Sequence, residues 1–501
     1  MTFRTASIRP HPRAASAKDF DHHTHIALLT TTEPAQLRTL PFGDVVAERM
    51  KRSGHKPGDS KIFITDLPNR PGTRLALAAL RPDASAFERL TLARKLVGTQ
   101  MEQRPKRLAL GSHGLGKVET SALEALVAAT LAAAFELPHY KSTKEKPYAL
   151  DEVAVYGDLP KNVVAQSVAE AHGNNLARYL TALPPNTLTP GTYRQRVEKL
   201  AREHGWKTEF LDMKKLRRRN AGAFIAVAQG SPEQDAGILH LSYAPKKKKA
   251  ARAALALVGK GICFDTGGTN LKSAKHMHGM HEDMEGSAVA LGTLLALTEL
   301  KVDFPVDCWL ALAQNHIGPK SYRQNEVIKA ANGNTIEIVH TDAEGRMVLA
   351  DTLYFASLNK PRLVIDYATL TGACVGALST RLSGVFTNRP ALVPVLTRAG
   401  EESGERVWPF PLPPDFAEAL KSDVADVKQC TLDNDADHIL ASVFLKRFLA
   451  GDPDWVHVDL AAGNHKGGLA HIPTDVTGFG VRFTLNLLLA QQLLRDGAGK
   501  A

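Results

Sequence analysis

Apolar residues along this chain fall into two patterns. Runs of roughly four to eight apolar residues bounded by turn formers read as strands, and longer stretches with apolar positions three and four apart read as helices. In the first part, His25–Thr31, Lys61–Thr65, Leu75–Ala78 and Arg107–Leu110 are strand-like, whereas Ala84–Gly98 and Glu119–Leu137 are helix-like. Tyr140–Pro147 is polar and Lys-rich, and a helix-like Asn162–Leu183 follows until Pro184-Pro185-Asn186 breaks it. Further strands are predicted at Ala223–Ala228, Gly237–Ser242, Leu255–Val258, Cys308–Ala313, Thr335–Val339, Leu363–Asp366 and Val456–Leu460, with helical stretches such as Ser287–Leu300 between several of them. The pattern predicts an α/β chain: a small N-terminal α/β domain over residues 1–158, a linker helix over 159–183, and a larger domain over 184–501 with a mixed, centrally parallel sheet flanked by helices.

At 501 residues the chain is longer than one hydrophobic core usually serves, which agrees with that division. The four cysteines, Cys263, Cys308, Cys374 and Cys430, show no Cys-x-x-Cys spacing and mostly sit in apolar surroundings, the usage of reduced core residues in a cytoplasmic protein. No apolar run reaches bilayer length, and Met1–Arg13 lacks the apolar stretch of a secretory signal, so a soluble protein with no membrane partner is expected.

Chemistry concentrates in His340-Thr341-Asp342-Ala343-Glu344-Gly345-Arg346-Met347, directly after strand-like Thr335–Val339. If the backbone stays extended there, Asp342, Glu344 and Arg346 point the same way and converge. A second acidic cluster lies upstream, where Gly259-Lys260-Gly261-Ile262-Cys263-Phe264-Asp265 follows a buried strand and Lys272 and Asp283 come next. Ligand sites in open α/β sheets gather outside the carboxyl ends of strands, so the two clusters are expected to form one site. Carboxylates gathered in a partly dry cleft repel one another unless cations neutralise them. Oxygen-rich ligation without thiolates suits divalent ions able to hold a water nucleophile and a carbonyl, which is hydrolytic chemistry.

These residues resemble the leucyl aminopeptidases of the cytosol type, peptidase family M17. The octapeptide is similar to the family signature Asn-Thr-Asp-Ala-Glu-Gly-Arg-Leu. The likeness extends through Gly267-Gly268, Asp283-Met284, Asp366 with Thr369-Leu370-Thr371-Gly372-Ala373-Cys374, Leu420–Asp426 and Pro184-Pro185-Asn186, over roughly residues 160 to 485. The resemblance implies an exopeptidase that hydrolyses the N-terminal residue from peptides, with two divalent ions per subunit: Mn²⁺ or Zn²⁺, with Co²⁺ or Mg²⁺ as alternatives. By the same resemblance, Asp265 and Glu344 bridge the ions, Lys260 and Asp283 complete the tighter site, and Asp342 completes the more exchangeable one. Arg346 holds a bicarbonate acting as general base and Lys272 polarises the scissile carbonyl. Thr369, Leu370 and Gly372 contact the peptide, and Met280 lines the pocket for its first side chain, ordinary core packing being the other reading for Met280. A homohexamer is implied as well.

Several positions depart from the family pattern. His340 replaces Asn, Met347 replaces Leu, and Glu285 stands where a small residue is expected, a candidate subunit contact. Gln314-Asn315-His316 and Arg323-Gln324-Asn325-Glu326 depart as well. The metal and catalytic types are all kept, so an active hydrolase with shifted specificity or pH profile is expected. Two other motifs carry less. Gly111–Lys117 resembles a phosphate loop, but Val118 stands where the magnesium-binding hydroxyl belongs. His22, His23 and His25 read as a solvated lead-in to a strand rather than a metal site. The net charge of +10 concentrates in Lys214-Lys215-Leu216-Arg217-Arg218-Arg219 and Lys246-Lys247-Lys248-Lys249. These read as exposed loops, the alternative being a DNA-binding or structural hexamer that contacts phosphates, as some bacterial relatives do.

Overall fold

A single strand, Leu255–Asp265, buried along nearly its whole length, is the axis of the larger sheet in the computed structural model, which describes residues 5–56, 58–59, 61–143, 148–245, 253–433 and 435–494. The strand is apolar on both faces because helices cover both sides, as parallel sheets require. Leu255 and Leu257 face a core that includes Glu285–Glu299 and Lys161–Thr181, while Ala256 and Val258 face Glu344–Leu358 and Asp437–Lys446. Each fully buried leucine in these layers contributes roughly 2 kcal/mol of transfer free energy.

The larger sheet has eight strands in the order Val407–Pro409, Ser383–Thr387, Asp454–Asp459, Leu363–Ala368, Leu255–Asp265, Val306–Asn315, Gly237–Tyr243 and Lys207–Asp212. The four central strands run parallel, so Asp459, Ala368, Asp265 and Asn315 finish at one edge. A second sheet orders Ser7–His11, Glu152–Tyr156, Arg107–His113, His25–Thr30, Arg74–Ala79 and Phe63–Asp66, all parallel except the last pair. The mixed α/β architecture with a centrally parallel sheet is therefore as expected. Polar contacts tie the smaller sheet's helices to the larger body: Arg94 donates to the carbonyl of Gly467 at 2.7 Å, and Arg482 bridges Glu124 and Glu170 at 2.8 and 2.7 Å.

Several predicted elements shift. Ala223–Ala228 is not a strand but part of the helix Gly222–Ala228. A short all-apolar run carries no period that separates the two states, and the deciding partner is remote: the Asp351 carboxylate accepts the Phe224 N–H at 2.9 Å. Thr335–Glu337 lies in a small three-stranded sheet with Val327–Lys329 and Val427–Lys428, outside the central one. The expected Ala84–Gly98 helix begins at Ala86 because Ser85 and Glu88 close a capping box. Asn162–Leu183 appears as Lys161–Thr181. All four cysteines are buried and free. Lys214–Arg218 sits in the short helix Met213–Arg218, whereas Lys246–Lys249 lies outside the described residues. No helix among the described residues is long and apolar enough to cross a membrane.

Candidate metal centre

The carboxyl edge of the central strands opens into a cleft of about 660 Å³ lined by Lys260, Asp265, Lys272, Asp283, Asp342 and Glu344, together with Met280, Thr369, Leu370 and Gly372. Lys260 and Asp265 come from the axial strand, one in its middle and one at its end. Asp342 and Glu344 do not arrive on extended backbone. A turn carries Asp342, and Glu344 opens the helix Glu344–Leu358, so Arg346 swings out of the cleft instead of converging with the acids. A Cβ on Gly345 would lie 2.8 Å from Lys260 Nζ, so any side chain there would displace the lysine.

Ligand atoms of Asp265, Asp342 and Glu344 lie within 4.8 Å of one another. Lys260 Nζ is 2.8 Å from Asp283 Oδ1 and 2.9 Å from Glu344 Oε1, and it donates to the Thr369 carbonyl at 2.9 Å. Lys272 Nζ is 2.9 Å from Asp265 Oδ2 and 2.6 Å from Asp342 Oδ1. Glu344 thus belongs to two adjoining groups of donors. Burial, offset only partly by the lysines, pushes Asp265 and Asp342 above the usual carboxylate range and Asp283 up to about 8. Burial would lower both lysines, but the acids around them outweigh it and hold Lys260 and Lys272 above their ordinary values as ammonium groups. Asp283 Oδ2 is buried without a hydrogen-bond partner.

Other residues, with no holding role expected from the sequence, keep this arrangement in place. Asn315 Nδ2 donates to Asp265 Oδ1 at 2.8 Å, and Thr341 Oγ1 donates to the Gly267 carbonyl at 2.7 Å. Asp459 accepts from Leu370 N–H at 3.2 Å and from Thr371 Oγ1 at 2.7 Å, fixing the Thr369–Gly372 segment. An acid at the end of predicted strand Val456–Leu460 was the available signal for Asp459. Asp437 had none. It takes the Arg346 guanidinium, its two oxygens 2.8 and 2.7 Å from Nη2, while Nη1 donates to the Gln429 carbonyl at 3.2 Å. The arginine expected to hold bicarbonate is therefore already paired with a carboxylate of the chain itself. His340 lines the cleft and accepts the Asp342 N–H through Nδ1 at 3.2 Å. Glu285 is no surface contact; it is buried in the cleft wall, where burial and the nearby Glu282 push it up to about 8. His23 pairs with Tyr156, and Ser112 of the phosphate-loop look-alike pairs with Glu119.

The model of the cytosol aminopeptidase family, catalytic domain, matches residues 175–485. The chain belongs to that family. A protein named "Probable cytosol aminopeptidase" from Synechococcus sp. (strain CC9605) is 37% identical over 450 residues, 87% of this chain and 89% of that protein. Among solved structures, the bottromycin maturation enzyme BotP in complex with Mn is similar at 30% identity and a TM-score of 0.82, covering 94% of this chain and 100% of that one. A variant of tomato leucine aminopeptidase shares the fold at 24% identity and a TM-score of 0.85, covering 98% of each chain. As a cytosol aminopeptidase family member the chain is a leucyl aminopeptidase-type hydrolase, and the family is metal-dependent.

Proposed function

We propose that this chain removes N-terminal residues from peptides using two adjacent divalent ions, with Asp265 and Glu344 shared between them, Lys260 and Asp283 completing one site and Asp342 the other. The observation that carries this reading is the position of Glu344 within both donor groups, 2.9 Å from Lys260 Nζ on one side and among the ligand atoms of Asp265 and Asp342 on the other. The donor set fits divalent ions. It is rich in oxygen, one buried carboxylate oxygen of Asp283 lacks a partner, and two ammonium groups sit where positive charge is needed. Bound there, the ions supply Lewis-acid polarisation of a carbonyl and a nucleophilic water at neutral pH.

The chain's own groups do the rest. To hold an ion Lys260 would release one ammonium proton to solvent, leaving its neutral amine beside Asp283 and Glu344. Lys272 faces the cleft and donates to the carbonyl oxygen as negative charge develops on it. Thr369, Leu370 and Gly372, tethered through Asp459, offer backbone groups to the peptide, and Met280 gives an apolar surface to its first side chain. Bicarbonate is left out of this reading because the Nη atoms of Arg346 already meet Asp437 and the Gln429 carbonyl. We further propose that Lys161–Thr181 links an N-terminal domain ending near residue 158 to the catalytic domain beginning at 184.

The test is a panel of aminoacyl amides assayed after chelation and return of Mn²⁺, Zn²⁺, Co²⁺ or Mg²⁺. Activity is expected to vanish on chelation and return with metal. Glu344→Ala should lose it at every metal concentration while keeping its circular dichroism, and an active Glu344→Ala protein would refute the assignment.

A further inference from the structure

Two acids in the cleft take no part in the metal centre. Glu282 and Glu285 both line it, on the wall that also carries Met280, Ala461 and Asn464. Asn464 Nδ2 donates to Glu282 Oε2 at 2.8 Å. Glu285 is 1% exposed, and its Oε1 is buried with no hydrogen-bond partner. The chain makes room for this carboxyl group: a Cβ on Gly463 would lie 2.2 Å from Glu285 Oε2, so only glycine fits opposite it.

His281 Nε2 lies 4.0 Å from Glu282 Oε1, and among the described residues no lysine or arginine pairs with Glu282 or Glu285. Among the described lining residues the lysines are Lys260 and Lys272, and both are engaged by the acids of the metal centre. A carboxyl group buried this deeply holds a negative charge only beside a cation, so a ligand that brings one is favoured there. The same cleft offers Met280, Val375, Leu460 and Ala461 to a methylene stem, the mixed surface that long cationic side chains suit.

We propose that the cleft selects peptides whose first side chain is a cation on an aliphatic stem, lysine or arginine, with Glu285 as the specificity-determining residue and Glu282 supporting it. This rests on the aminopeptidase reading and narrows its substrate class. The metal end orients the peptide's amino terminus, and the side chain runs along the apolar wall to the carboxyl group.

The test compares lysyl and norleucyl p-nitroanilides, which share a stem and differ in the terminal ammonium. In the metal-loaded wild type kcat/KM should favour lysine, and in Glu285→Gln the lysine-to-norleucine ratio should fall by ~10- to 100-fold, the scale of a hydrogen bond to a charged group. Taking the ratio cancels any general loss of activity in the variant. Glu282→Gln, nearer the solvent, should lower the same ratio less and serves if Glu285→Gln fails to fold. Norleucine cleaved as well as lysine by the wild type, or a ratio unchanged by the substitutions, would overturn the proposal while leaving the aminopeptidase reading intact. If no substrate is cleaved with any metal, that broader reading fails instead. Calorimetry with lysine amide and norleucine amide then decides: tighter lysine amide binding, weakened in Glu285→Gln, supports the proposal, and equal binding overturns it.

Discussion

Replacing Asp437 with alanine exposes what its pairing with Arg346 does. The arginine side chain is 2% exposed and Asp437 14%, so the variant leaves a guanidinium buried beside an empty space. Removing one partner of a buried pair costs about 3–5 kcal/mol. The surviving bond to the Gln429 carbonyl places this case near the lower end, about 3 kcal/mol. The hole has the size and charge for a small planar anion, so the variant should gain what the wild type does not need. A ligand at a hundred times its Kd stabilises by about 2.7 kcal/mol, enough to recover most of the loss. The assay is the thermal midpoint in carbon dioxide-free buffer against buffer with bicarbonate or formate. The wild type should be indifferent in both midpoint and kcat, and Asp437→Ala should rise with anion concentration. A wild type whose activity falls when bicarbonate is stripped would refute this, because the anion would then bind Arg346 in spite of its pairing with Asp437.

Two further outcomes follow from the geometry. Glu405 is buried with its carboxyl pushed up to about 7, and its Oε2 accepts both Gly480 N–H and Phe483 N–H at the start of a short helix. The unfolded chain releases this proton near pH 4.5 and the folded chain holds it to about pH 7, so stability falls across that window by about 3 kcal/mol and is level above it. Glu405→Gln can keep both bonds on its carbonyl oxygen and should flatten the slope of stability between pH 5 and 7.5 in denaturant titrations; an unchanged slope counts against it. Gly345→Ala should fold but lose about tenfold to a hundredfold in kcat/KM, since displacing Lys260 by a fraction of an ångström disturbs the donor set. Unaltered kinetics with metal saturating would show that the contact is not tight.

Much of the centre could be read in the chain before any coordinates, because its donors sit in short segments with unusual chemistry: Lys260 and Asp265 around a strand end, Asp342 and Glu344 on either side of Ala343. Their convergence takes a different route from the extended backbone that the pattern predicts. Extended backbone would have brought Arg346 in with the acids, whereas the helix starting at Glu344 turns it toward Asp437, ninety-one residues away along the chain. Partners of that kind leave no local trace. The same holds for Gly222–Ala228, whose helical state depends on Asp351, and for Glu285, whose place in the cleft wall depends on the approach of Gly463. The central strands were legible as apolar runs, but their order in the sheet, which brings Asp265, Ala368 and Asp459 to one edge, is a property of long-range pairing.

That pairing also governs when the cleft comes into being. Donors and tethers are drawn from Lys260 to Asp459, and none of the contributing segments holds more than a fragment of the constellation. A folding chain therefore has no complete cleft until four strands remote in sequence have paired. A partly folded copy holds the pieces of the cleft without the cleft itself.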